Sequence, residues 1–537
     1  YQRRVRGFIS MTQEEEKQDY TQKEKLPYQL HFEKEIQKEY DEIAQMRDEE
    51  GKELANKRVK KLQQGVQIKF KKLFQELQNE KKPVEKKQRQ FVELVEDASL
   101  PVAPRIHLRQ QEIAEAVGKR VTVHGWCHRV RIQSQKLAFL MVRDGHGYVQ
   151  VLLNEQMMGC KESQELNRET AVLIKGVLTK SEKSPTGFEI AADFWQMIGK
   201  SDGDFENMLQ KDSGPEVRAR NRHIVHRGEK GSAILKLRSA ILGLFREHFQ
   251  SKDFTEVNVP TIVNTECEGG SSLFKLDYYG QEAYMTQSSQ LYLESVIHAL
   301  GDVFCIAPSY RAEKSNTRRH LAEFTHLETE HAFIQFDDLL QIIEDMVCFV
   351  ANNLYKRHGE MVDSVNPNPI KELKQPFKRM TYVDAIAWLN ERNILTDQGK
   401  PFEFGDDIAE CQERQMIDAI GEPVFLCKFP ASLKSFYMPR CKEDNRLTES
   451  VDLLVPTVGE IVGGSMRVWQ YEETMAAYER EKLPVENYYW YTDVRKYGEN
   501  PHGGCGLGLD RFVCWLLGIY NIRDSVLYPR AFGQLMP

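Results

Sequence analysis

Residues 303–330 constrain the fold most tightly. An apolar run, Val303-Phe304-Cys305-Ile306-Ala307, leads through Arg311 into a polar, basic loop, and alternation resumes at Phe324, Leu327 and Glu330. This pattern predicts strand, loop, strand. The loop carries Lys314, Arg318, Arg319 and, when protonated, His320, with carboxylates on either side. A polyanion such as a nucleoside triphosphate suits such a loop, because guanidinium forks match phosphate oxygens in a way a lysine point charge cannot. Taken alone, the same residues also describe a charged hairpin tip in solvent.

A second stretch far downstream narrows the choice. Gly503-Gly504-Cys505-Gly506-Leu507-Gly508-Leu509-Asp510-Arg511 reads as a glycine-rich loop that lets backbone approach a ligand. The run Phe512 to Leu517 then predicts a buried helix opened by Arg511. Together, Arg-x-Glu with its loop and Gly-Leu-Asp-Arg resemble motifs 2 and 3 of the class II aminoacyl-tRNA synthetases. The resemblance implies an α+β fold, an antiparallel sheet flanked by helices, preceded by an all-β barrel of the oligonucleotide-binding (OB) type and a helical N-terminal extension.

A chain of 537 residues is too long for one domain. Its net charge of -7 argues against a uniformly basic nucleic-acid binder, so RNA contact must rely on local patches. The ten cysteines include no Cys-x-x-Cys pair, which favours reduced thiols in the cytoplasm over a disulfide frame or zinc ribbon. No apolar run is long enough to predict a membrane span. Arg3, Arg4 and Arg6 hint at a transit peptide, but Glu14-Glu15-Glu16 follow at once, and Met11 is a possible start. A cytoplasmic protein is expected.

Four regions are expected: a charged helical extension over 1–100, a barrel over 101–200, a hinge over 201–228 and a catalytic domain over 229–537 with an insertion at about 350–447. In the extension, residues 11–50 hold thirteen acids against six bases, and residues 52–90 hold thirteen bases against four acids. Val66, Phe70, Leu73, Phe74 and Leu77 form an apolar stripe there. Such an arm either packs on itself or attracts the RNA backbone without reading sequence. Short alternating segments between Lys119 and Ile198, with a turn at Asp144-Gly145, predict five strands. Gly125-Trp126, Phe139, Arg143-Asp144 and Val149-Gln150-Val151 resemble the anticodon-binding barrel of the aspartyl, asparaginyl and lysyl subclass. That resemblance implies that Phe139 stacks the middle anticodon base; Gln150 is the candidate for hydrogen-bonding a base edge. Ala233 to Phe249 predicts a helix and Phe254 to Val259 a strand closed by Pro260; the pair resembles motif 1, which implies a homodimer.

By the same resemblance, ATP would be held by Arg311, Glu313, His320, Leu321, Phe324, Glu460, Gly508 and Arg511. Arg311 would polarise the α-phosphate, and Arg511 with His320 would take the γ-phosphate. Asp452 and Glu460 sit at alternating positions with hard oxygens suited to Mg²⁺; some aspartyl relatives carry serine at the place of Gly463. Glu268, Ser288 and Gln290 would meet the amino-acid head group. Aspartyl enzymes have a lysine where this chain has Leu293, and leucine cannot neutralise a buried carboxylate. Glu294 as acceptor and Arg467 as donor would read a carboxamide. The expectation is therefore the cytosolic asparaginyl branch, acting on L-asparagine and tRNA(Asn) with ATP and Mg²⁺. An aspartyl enzyme, a non-catalytic tRNA-binding paralogue and an asparagine synthetase of the same fold are the alternatives. The role of residues 396–447 is not legible.

Overall fold

A computed structural model describes residues 36–38, 41, 91–210, 213–267, 272–315 and 317–537, in two compact units that divide between Lys200 and Ser201. The charged arm, apart from those few positions, and Glu268 lie outside the described residues. None of the described helices is long and apolar enough to cross a membrane.

The first unit holds a short helix, α1 (Gln110–Ala116), and strands β1 (Arg120–Ser134), β2 (Leu137–Arg143), β3 (Tyr148–Leu153), β4 (Ala171–Lys180) and β5 (Phe188–Gly199). They close into a barrel in the order β1-β2-β3-β5-β4. Alternation decides the faces: Ala138, Leu140, Val142, Val149 and Val151 fill the interior, while Phe139, Met141 and Gln150 point outward. The β2–β3 turn is tied by Asp144, whose carboxylate accepts the His146 N–H at 2.8 Å and the Gly147 N–H at 3.1 Å.

The second unit is built on strands β6 (Thr255–Glu256), β7 (Ile262–Val263), β8 (Lys275–Tyr278), β9 (Gln281–Met285), β10 (Val303–Tyr310), β11 (Glu323–Ala332), β12 (Lys378–Thr381), β13 (Val424–Cys427), β14 (Ser450–Val455), β15 (Gly459–Met466) and β16 (His502–Gly508). Its helices are α2 (Glu229–Gln250), α3 (Gln290–Leu300), α4 (Phe336–Val365), α5 (Tyr382–Glu391), α6 (Glu410–Ile420), α7 (Tyr471–Glu481), α8 (Tyr489–Lys496) and α9 (Leu509–Leu517), with shorter turns between. Eight strands form one sheet in the order β12-β13-β14-β15-β16-β11-β10-β6, and β7-β9-β8 form a small second sheet. The large sheet is antiparallel from β13 to β10, but its outermost pairs, β12/β13 and β10/β6, are parallel, so it is mixed rather than wholly antiparallel. The strand expected over 254–259 shortens to β6, and the helix expected from Ala233 starts at Glu229.

Two departures matter for the site. Residues 378–427, expected within an insertion, supply β12 and β13 and so extend the main sheet. The glycine-rich stretch is a strand, β16, and not a loop. Its glycines serve the neighbouring strand: Gly504, Gly506 and Gly508 lie opposite Glu330, Glu328 and His326 of β11. A Cβ on Gly504 would stand 2.3 Å from Glu330 Oε2, and one on Gly506 2.3 Å from His326 Nε2. Leu327, Cys505, Leu507, Val451, Leu453 and Val462 face the other way, into a core with α2, α4 and α9. The sheet thus has one apolar face under helices and one polar face floored by glycine. Gly506→Ala is expected to displace His326 and cost about 1–3 kcal/mol, as overpacking does; the midpoint of urea unfolding measures it.

Candidate active site

The polar face of the sheet carries two adjoining cavities, of about 260 and 70 Å³, which share Arg311, His326, Glu460 and Gly506 as walls. The larger is lined by Ser288, Gln290, Glu328, Lys434, Tyr437, Asp452, Gly463 and Arg467, among others. The smaller is lined by Glu313, Arg319, His320, Leu321, Phe324, Gly508 and Arg511. Arg311 and Arg511, two hundred positions apart in the sequence, therefore border one space.

Each side chain is held by the fold. The Arg311 N–H donates to the Ala322 carbonyl at 2.8 Å, closing the loop between β10 and β11, and its guanidinium lies 5.4 Å from the centroid of Phe324. Arg511 stands in the first turn of α9, next to Asp510, which accepts from Arg238 at 2.5 Å and from the Thr325 N–H at 2.9 Å. The helix start is thereby pinned to β11. Arg511 donates to the Glu460 carbonyl at 3.0 Å, to Glu460 Oε2 at 3.2 Å and to the Arg319 carbonyl at 3.4 Å. His320 bonds Thr317 at 2.6 Å through Nδ1; burial and then Arg511 push its pKa below the ordinary histidine value. It is therefore mostly neutral at pH 7, and the loop's cation count falls to three.

Asp452 and Glu460 flank Gly463. A Cβ there would be 3.3 Å from Glu460 Oε1 and 3.5 Å from Asp452 Oδ1, so the two carboxylates face one small space. Lys434 donates to the other oxygen of Asp452 at 2.9 Å. Burial alone would raise the Glu460 carboxyl, but Arg511, Lys434, Arg311 and Arg319 hold it below the ordinary range. Two carboxylates beside a bed of cations offer the hard oxygen ligands that a divalent ion such as Mg²⁺ prefers.

The larger cavity ends in a buried polar floor. Ser288 Oγ and the Ser289 N–H both donate to Glu328, the latter at 2.8 Å. Burial pushes the Glu328 carboxyl up, but His326 and these donors bring it down to about 2. Gln290 lines the cavity and donates to Glu294 Oε1 at 3.0 Å. Glu294 itself lies beneath the lining; its Oε2 accepts from Tyr491 at 2.7 Å, and it meets His502 at 3.0 Å and Arg495. Its reach into the cavity runs through Gln290 and through Arg467, 3.8 Å away. Arg467 is clasped by Glu330, with bonds of 3.0–3.3 Å. Leu293 does not line the cavity: it packs with Ile297, Val303 and Cys305.

Sequence reasoning missed Glu328, Glu330, Lys434 and Tyr437 as parts of the site. Glu328 and Glu330 had a signal, since Phe324, His326, Glu328 and Glu330 are spaced by two on a strand and must share a face. Lys434 and Tyr437 come from an irregular stretch and had none. On the barrel, Phe139 lies on the outer face with Arg131 5.9 Å from its ring, and Gln150, also outward, donates to Glu189 at 2.5 Å.

Fold and site together are those of the class II aminoacyl-tRNA synthetases: a family model described as tRNA synthetases class II (D, K and N) matches residues 214–531, and an OB-fold nucleic acid binding domain matches 121–198. The chain is 52% identical over 446 residues to the cytoplasmic asparagine–tRNA ligase of Bos taurus, covering 82% of this chain and 79% of that one. With the cytoplasmic asparagine–tRNA ligase of Saccharomyces cerevisiae it shares 43% over 506 residues, 91% of each. The solved Entamoeba histolytica asparaginyl-tRNA synthetase in complex with asparaginyl-adenylate superposes with a TM-score of 0.77 at 46% identity, covering 82% of this chain and all of that one. The chain belongs to the asparagine–tRNA ligase family.

Proposed function

We infer that this chain is a cytoplasmic ligase that activates L-asparagine with ATP and passes the asparaginyl group to tRNA(Asn). The observation that carries this is the convergence of Arg311 and Arg511 on one cavity that opens onto the Arg467–Glu330 floor. In the first step a carboxylate oxygen of asparagine attacks the α-phosphorus and pyrophosphate leaves. In the second, a hydroxyl of the tRNA's terminal adenosine attacks the acyl carbon and AMP leaves. No protein nucleophile is needed, so positioning and charge neutralisation supply the rate.

Arg311 holds and polarises the α-phosphate. Glu313 meets the adenine amino group, Phe324 stacks under the ring, Leu321 and Gly508 shape its slot, and Arg511 covers the other face and holds the γ-phosphate with His320. Asp452 and Glu460 would hold Mg²⁺, which neutralises phosphate charge. Ser288, Gln290 and Glu268 receive the amino-acid head group, with Glu328 ionised behind Ser288. Arg467 donates to the carboxamide oxygen, while Glu294 acts on the amide side through Gln290. Phe139 and Gln150 take the anticodon on the barrel, and two copies pair through the region of α2 and β6.

The test is ATP–pyrophosphate exchange by the purified chain across the twenty amino acids. Exchange with asparagine well above every other amino acid is expected; preference for aspartate would establish the aspartyl alternative. Separately, Phe139→Ala is expected to weaken tRNA(Asn) binding by about 1–3 kcal/mol, the worth of one stacked base; filter binding measures it.

A further inference from the structure

Helix α6 belongs to the part of the chain whose role the sequence left open, yet it reaches the triphosphate side of the cavity. Its Glu413 has one oxygen, Oε1, that accepts the Glu460 N–H at 3.2 Å and stands 3.7 Å from Arg319 Nη1. Glu410, one turn earlier, lies 3.6 Å from Arg319 Nε. Arg319 is nine-tenths buried, and neither Nε nor Nη1 has a hydrogen-bond partner. Gly459 makes the approach possible: a Cβ there would be 2.5 Å from Arg319 Nη1 and 2.6 Å from Glu413 Oε1.

These contacts close a ring. Arg511 donates to the Arg319 carbonyl and to Glu460, Glu460 donates its N–H to Glu413, and Glu413 faces the Arg319 guanidinium. Three members come from the loop after β10, from β15 and from α9; Glu413 is the fourth. Without it, the Glu460 N–H loses its side-chain acceptor and the buried Arg319 loses one of the two carboxyl groups beside its guanidinium, so loop and strand are no longer held at a set separation.

We propose that Glu413 is a positioning residue for the triphosphate site, fixing Arg319 and Glu460 relative to Arg511, and that this is the contribution of the 410–420 helix to activation. The proposal rests on the ATP site described above. Its test is steady-state exchange by the full chain, with KM measured separately for ATP and for asparagine. Glu413→Ala raises KM for ATP about tenfold, in the range that losing a supporting hydrogen-bond partner of a ligand-holding group brings, while KM for asparagine changes less than about twofold. Glu413→Gln, which keeps an acceptor for the Glu460 N–H but replaces the carboxyl group beside Arg319, falls between. It also carries the same test should the alanine variant not fold. KM values for ATP and asparagine rising together, or neither rising, overturn the proposal. A wild-type chain with no asparagine-dependent exchange would instead overturn the functional assignment beneath it.

Discussion

Arg311→Ala is expected to lower asparagine-dependent ATP–pyrophosphate exchange by about 10²–10³-fold, the loss seen when one preorganised donor to developing charge is removed. Arg311 borders both cavities, and its backbone is fixed by the Ala322 carbonyl, so its guanidinium stands where the two spaces adjoin, the place proposed for the α-phosphate. The fold has little to lose, because the residue belongs to no core cluster and its loop frame is made by backbone. The variant should therefore unfold at nearly the wild-type urea midpoint. Near-normal exchange would remove Arg311 from the α-phosphate, and a large drop in midpoint would recast it as a structural residue.

Arg467→Met should do the opposite, damaging stability and activity together. Glu330 is fully buried, and burial together with Glu294 pushes its carboxyl up against the pull of Arg467. Removing the guanidinium leaves Glu330 without its bidentate partner, a loss of about 3–5 kcal/mol for a broken buried pair. Glu330→Leu combined with Arg467→Met removes both charges and should recover much of that stability, since a buried pair is often no better than its apolar replacement. Asparagine activation should not return, because the donor proposed for the carboxamide is gone. Urea unfolding and KM for asparagine, measured on single and double variants, separate the two effects.

The sequence displayed the ends of this site better than its middle. Arg311, Phe324 and Arg511 could be placed because they sit at the borders of strongly patterned segments, where strand alternation or a helix start fixes their direction. The glycines between 503 and 508 were legible as a close approach, but not as one made for His326 and Glu330. Only strand register, a long-range property, sets Gly506 opposite Glu328 and Gly504 opposite Glu330. Leu293 and Glu294 are adjacent in sequence and face different surroundings, an apolar cluster and a polar floor. Helical geometry separates neighbours by about 100°, so the pair could not act as one unit. Lys434 was hidden because its segment is irregular, and Glu413 because nothing along α6 tells which strand the helix docks against.

The proposed function requires distant arginines to meet over one nucleotide beside a floor that reads a carboxamide. A crystal structure of the chain with a non-hydrolysable asparaginyl-adenylate analogue tests it most directly. The account predicts the phosphate mimic within hydrogen-bond reach of Arg311, the adenine between Phe324 and Arg511, and the carboxamide oxygen on Arg467. An analogue bound with its phosphate mimic away from Arg311, or with its side chain away from Arg467, would contradict it.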